Sequence, residues 1–186
     1  MFKKLIFFIF IFIFSSCNMY ERFYVLSTAS TPLKNSKTKY KVIGVEKVNI
    51  PKYLFKREIA VAKSSSEVIF LKKASWAEDL DDGITNRFVG FLQKKFNQPN
   101  VYVYPWGLTI QPDITIKLQI TRFIAQDNKV TLEANWVVEN LRTQQRKAKL
   151  FSTSVPTSDD ASRIVASMDK ALHQLEKDLA KAIQYN

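Results

Sequence analysis

Residues 114–138 read ITIKLQITRFIAQDNKVTLEANWVV, and both halves of this stretch alternate. Ile114, Ile116, Leu118 and Ile120 are separated by Thr115, Lys117, Gln119 and Thr121. Val130, Leu132, Ala134, Trp136 and Val138 alternate in the same way with Thr131, Glu133, Asn135 and Val137. Successive side chains of an extended chain point to opposite faces, so a period of two predicts strands with one buried and one wet face. Asp127 and Asn128 are turn formers between the two runs, so the stretch predicts a long antiparallel hairpin with Trp136 in the core.

Outward from this hairpin the periodicity changes. Ile164, Val165, Met168, Ala171, Leu172, Leu175, Leu179, Ala182 and Ile183 recur at helical spacing, predicting a helix from roughly 159 to 183 whose stripe packs on a sheet face. Leu80, Ile84, Phe88, Phe91, Leu92 and Phe96 form a second such stripe, weakened by Gly83 and Gly90 and stopped by Asn97-Gln98-Pro99. Ser75-Trp76-Ala77-Glu78 has the spacing of a capping box that opens this helix. Shorter β-prone segments are 23–27, 42–48, 58–62 with 67–71 as a hairpin, 101–104 and, more weakly patterned, 146–153; residues 28–40 read as a loop. The expectation is a single compact α+β domain, mostly antiparallel sheet with two main helices packed on it.

The N-terminus has a different character. Lys3 and Lys4 precede an apolar run from Leu5 to Phe14, followed by Ser15, Ser16 and Cys17. A charged start, a short apolar stretch and small residues make up a secretory signal, and the run is too short for the ~20 apolar residues that span a bilayer. Cys17, the chain's one cysteine, follows the small pair and resembles the lipobox of bacterial lipoproteins, although Phe14 replaces the usual Leu. That resemblance implies cleavage before Cys17, a diacylglycerol on its thiol and a palmitate-type acyl chain on its amino group. Asn18 stands where an inner-membrane retention signal would have Asp, which implies the periplasmic face of the outer membrane. The organisation expected is a signal peptide over 1–16, a lipidated tether over 17–22 and one domain over 23–186.

Composition narrows the function classes. The chain has 186 residues, one Cys, one His and four Gly, which excludes cysteine-based metal clusters, multi-histidine zinc sites and internal disulfides. Without Lys3 and Lys4, 26 basic residues face 17 acidic ones, about +9. The basic residues are scattered, with denser runs at Lys34, Lys37, Lys39, Lys41 and at Arg142, Arg146, Lys147, Lys149. In an exported chain they suit anionic lipid or an acidic protein face rather than nucleic acid. Glu78, Asp79, Asp81 and Asp82 form the one acidic cluster; carboxylates at a helix start are favoured by the helix dipole, so the cluster reads as structural. His173 lies among Asp169, Lys170, Glu176 and Lys177 and reads as a solvated surface histidine. No catalytic, metal or cofactor site emerges. Trp106, after Pro105, and Trp76 are the candidate partner contacts.

Several segments together resemble the auxiliary lipoproteins of ABC-type lipid transporters, the PqiC/YmbA type. They are Phe23-Tyr24-Val25-Leu26; Ile43-Gly44-Val45 with Val48, Ile50-Pro51, Tyr53-Leu54, Arg57 and Ile59; Trp76-Ala77-Glu78 with Leu80 and Gly83-Ile84; Pro105-Trp106; and Ala134-Asn135-Trp136. Glu58 and Asp79 stand where that pattern has proline. The resemblance implies a non-enzymatic, outer-membrane lipoprotein subunit of a trans-envelope lipid-transport system. Its partners would be MCE-domain proteins, and it would act by docking, with copies forming a homo-oligomeric ring. Two other classes fit the same residues: an assembly lipoprotein for lipopolysaccharide or pili, and an enzyme using the acidic cluster on envelope lipids.

Overall fold

The computed structural model describes residues 20–26, 36–105, 107 and 111–184. Eight strands form one sheet: β1 Arg22–Tyr24, β2 Ile43–Glu46, β3 Glu58–Ala62, β4 Val68–Trp76, β5 Val101–Tyr104, β6 Ile114–Gln126, β7 Lys129–Asn140 and β8 Arg146–Pro156. The helices are α1, Leu80–Phe96, and α2, Ala161–Gln184, and a short 3-10 turn covers Lys52–Phe55. This is the expected α+β domain.

The β6–β7 hairpin is its centre. Asp127 and Asn128 both take positive φ, 48° and 57°, the backbone that a two-residue type I′ turn requires and that Asp and Asn tolerate. The ladder runs from Gln126↔Lys129 to Ile114↔Asn140, with one irregularity between Ile120 and Arg122 that brings Phe123 and Ala125 back onto the buried side. Val130, Leu132, Ala134, Trp136 and Val138 are all buried, as the alternation predicts. The weakly patterned segment at 146 becomes β8, paired with β7 along its whole length as far as Pro156.

The remaining strands join differently from a simple meander. The first residues of β6 pair in parallel with β2, while Ala125 near its end pairs in parallel with β3. β2 also pairs in parallel with β5, and β1 in parallel with β4. The long ladders β3–β4, β6–β7 and β7–β8 are antiparallel, so the sheet is mixed but dominated by antiparallel pairing. α1 packs on β2 and β5, α2 packs on β6, β7 and β8, and the helices touch each other.

α1 ends at Asn97, whose left-handed φ of 50° lets the turn close, its N–H reaching back to Gln93 and Lys94 carbonyls. Its start corrects the capping-box reading. Ser75 and Trp76 are the last residues of β4, paired with Phe23 and Tyr24 of β1. The helix begins only at Leu80, with Asp79 in the cap position but making no side-chain capping bond. Ser75 Oγ instead donates to Glu21 Oε1 at 2.8 Å. Pairing with a strand fifty residues away outcompetes a local cap worth ~1 kcal/mol.

Candidate functional site

Cys17 and Trp106 lie outside the described residues. The first described residue is Tyr20, and the chain enters the sheet at Arg22, in β1. β1 is an edge strand held by more than its ladder: Tyr24 Oη and Ser162 Oγ share a hydrogen bond of 3.1 Å, tying β1 to the first turn of α2. The Ala77 N–H donates to the Tyr24 carbonyl. Beside it runs an open groove of about 640 Å³, between β1, the end of β4 and the approach to α2. Arg22, Lys72 and Lys73 supply its cations and Asp159 and Asp160 its carboxylates. Trp76, expected as a partner contact, is corrected here: it is 3% exposed and belongs to the core, because the strand continues through it.

The acidic cluster is spent on ion pairs. Lys47 Nζ lies 2.9 Å from Asp81 Oδ2 and 2.7 Å from Asp82 Oδ1. Hydrogen bonds to Asp82 and then Asp81 raise the Lys47 pKa, so the ammonium stays charged. Arg57 Nη2 donates to Asp79 Oδ1 at 3.2 Å and its Nη1 to the Ala77 carbonyl at 3.1 Å. Glu78 sits over Gly83, where an added Cβ would come within 2.9 Å of its carboxylate. Three of the four acids thus clamp the start of α1 to the β2 and β3 ends, a structural use of the charges.

A buried polar network between the helices was not anticipated. Arg87 Nε donates to Glu176 Oε1 at 2.9 Å and Nη1 to Asp169 Oδ1 at 2.6 Å, with Nη2 donating to the Asp169 carbonyl at 3.2 Å. The side chains of Arg87 and Glu176 are 4% and 0% exposed. His173 Nδ1 lies 3.2 Å from Glu176 Oε2, and its ring meets Phe91 edge-on at 5.9 Å. His173 is therefore no solvated surface residue: it packs against α1 and completes the shell around Glu176. The helical periodicity held the signal. Arg87 stands three after Ile84 and four before Phe91, and Glu176 four after Leu172 and three before Leu179, so both lie on the apolar stripes.

Burial pushes the Glu176 carboxyl up to about 7, against the pull of Arg87. Burial, with Lys177 and Arg87 nearby, lowers His173. The signs oppose. For Glu176 the folded value is raised, so its stabilising contribution is complete below about 4.5 and is lost as pH rises through about 7. For His173 it is lowered, so its contribution is present above the ordinary 6.5 and lost as pH falls through its folded value. Glu176→Gln removes the first effect while keeping an acceptor for Arg87. In urea unfolding from pH 5 to 8, the wild type should lose up to about 3 kcal/mol relative to this variant, at 1.36 kcal/mol per pKa unit. Parallel stability curves for the two would show that Glu176 does not titrate in this window.

A family model described as "ABC-type transport auxiliary lipoprotein component" matches residues 24–180, from β1 to the last turns of α2. The chain belongs to this family. Two crystal structures share the fold. One, of an uncharacterized protein, is 20% identical with a TM-score of 0.73 and covers 88% of this chain and 99% of its own. The other, a DUF330 protein from Xanthomonas campestris, is 19% identical with a TM-score of 0.72 and covers 86% of this chain and 92% of its own. No curated protein matches the chain significantly. Family membership makes this an auxiliary transport lipoprotein component, a membrane-associated class that is not an enzyme family. Among the described residues no helix is long and apolar enough to cross a membrane.

Proposed function

We propose that the chain is lipidated on Cys17 after removal of residues 1–16 and serves as an outer-membrane-anchored docking subunit of an MCE-type lipid-transport system. The observation that carries this reading is the family match beginning at residue 24, within seven residues of the lipobox-like Ser15-Ser16-Cys17. Family and tether together favour a domain that binds a transporter at the membrane. The domain over 23–186 does the binding, with residues 17–22 as the tether, and copies assemble as a ring around the periplasmic end of an MCE-domain protein. With Trp76 in the core, Trp106 is the aromatic candidate for that contact. Acyl chains are what hold it: each buried CH₂ contributes ~0.8 kcal/mol, and stable anchoring takes more than one chain.

The test is a pull-down of the tagged chain from crosslinked envelopes, with partners identified by mass spectrometry. An MCE-domain protein should be recovered, along with crosslinked copies of the chain, and Cys17→Ala should abolish recovery. Trp106→Ala should reduce it without changing the chain's abundance. Recovery of a lipopolysaccharide or pilus assembly component instead, with no MCE protein, would overturn the proposal in favour of an assembly role.

A further inference from the structure

We infer that the β1 edge of the sheet, with the groove beside it, rests on the phospholipid headgroups of the membrane that holds the chain. The inference builds on lipidation of Cys17. Only Asn18 and Met19 lie between Cys17 and Tyr20, three chain steps and so no more than ~10 Å fully extended. Whatever surrounds Tyr20 is therefore the part of the domain nearest the anchor.

That surface is chemically suited to a headgroup layer. Tyr20 is 79% exposed and Phe23 62%, and Val25 beside them is also exposed. A tyrosine settles at the boundary between headgroups and acyl chains, and Phe23 and Val25 add apolar surface beside it. On the other face of this edge strand, where Tyr20, Arg22 and Tyr24 point, the groove carries both signs of charge, Arg22 and Lys72 with Lys73 on the strands and Asp159 with Asp160 before α2, so a membrane meeting the edge would meet both faces. A phospholipid with an ethanolamine headgroup offers a phosphate to the cations and an ammonium to the carboxylates. The framework of the groove is held in place, since Tyr24 bonds Ser162 and Asp160 Oδ1 accepts the Arg163 N–H at 3.2 Å. Affinity for a headgroup need not be high, because a short tether turns binding into an intramolecular event at roughly millimolar effective concentration.

The arrangement sets the domain's orientation. The strand order β1-β4-β3-β6 continues through β7 to β8, which lies at the far edge of the sheet. The last residue of β8, Pro156, leads through Thr157 and Ser158 into the Asp159–Asp160 wall of the groove, whereas Leu150 stands six residues back along the strand, ~20 Å away at ~3.4 Å per residue. Leu150 on β8 is 82% exposed there and should face away from the membrane.

The test uses the full lipidated protein in vesicles of phosphatidylethanolamine and phosphatidylglycerol. Phe23→Cys and Leu150→Cys are each labelled with a small fluorophore, the natural cysteine being occupied by its acyl group. Nitroxide lipids carrying the label on the headgroup then quench whatever lies at the surface. The expected result is quenching several-fold stronger at position 23 than at position 150. Adding Arg22→Glu and Lys72→Glu should bring position 23 down toward position 150. Equal quenching at the two positions, or stronger quenching at 150, would overturn the headgroup contact. Intact mass separates the two ideas: a chain without acyl additions defeats the lipidation reading, whereas an acylated chain with equal quenching defeats only the docked edge.

Discussion

Arg87→Met should destabilise the domain by about 3–5 kcal/mol at pH 8, the cost of leaving a buried charge without its partner. The Glu176 side chain is fully buried, paired with Arg87 of α1 and flanked by His173, whose ring meets Phe91 of α1. Without the guanidinium its carboxylate must stay charged in an apolar surrounding or take up a proton. Because burial already holds it near 7, protonation is the cheaper route, and its cost grows as the pH rises. The loss should therefore be distinctly smaller at pH 5 than at pH 8, a slope that simple loss of packing would not produce. Asp169 is less demanding, since its side chain keeps 22% of its exposure and stays hydrated.

The double variant Arg87→Met with Glu176→Leu sharpens this expectation. Apolar replacement of a buried ion pair is often neutral or stabilising, so the double variant should recover most of what the single one loses. If both variants are equally unstable by urea midpoint, the pair is not the origin of the effect and the α1–α2 contact depends on shape instead. The network also explains why an auxiliary domain keeps charge in its core. It fixes the rotation of α1 against α2, because one guanidinium bonds Glu176 and Asp169, a turn and more apart on α2, through separate N–H groups.

How far the sequence revealed this arrangement depends on whether a feature is local. The β6–β7 hairpin was legible because alternation and an Asp127-Asn128 turn sit in one continuous stretch, and both follow from backbone geometry. The two helices were legible for the same reason. The β4–α1 junction was misread because Ser75 and Glu78 have capping spacing, while the strand that claims Ser75 and Trp76 lies near residue 23. The parallel insertion of β2 between β5 and β6 rests on register between distant segments, which no local pattern encodes. The groove is assembled from three separate segments and had no signature of its own. Arg87 and Glu176 were hidden for a different reason: a charged residue on an apolar stripe is ordinarily read as an interruption, and their complementarity across two helices appears only once the helices are packed.

Trp136→Ala should be the most damaging change in the hydrophobic core, costing about 3–5 kcal/mol. The indole is among the largest fully buried side chains, in the middle of β7, opposite Leu118 on β6 and Lys149 on β8. It also reaches across to the helix: Nε1 donates to Asp178 Oδ2 at 3.1 Å, and Asp178 Oδ1 in turn accepts from Lys149 Nζ. One side chain thus fills the space beneath α2 and joins the helix to three strands. The sheet cannot close over the vacancy, because β7 is pinned by ladders on both edges, so most of the cavity should remain. Trp136→Phe separates the contributions: it keeps most of the volume, loses the hydrogen bond, and should cost about 1 kcal/mol, with Lys149 still partnering Asp178. Urea midpoints for the two variants decide between these effects. An alanine variant within 1 kcal/mol of wild type would mean that α2 settles onto the sheet and that the indole is not the keystone of the layer. For a domain with the usual margin of ~5–15 kcal/mol, the expected loss also governs how envelope experiments on this residue are read. A Trp136→Ala chain missing from a crosslinked complex would be reporting on folding, whereas the same result with Trp106→Ala at normal abundance would report on contact.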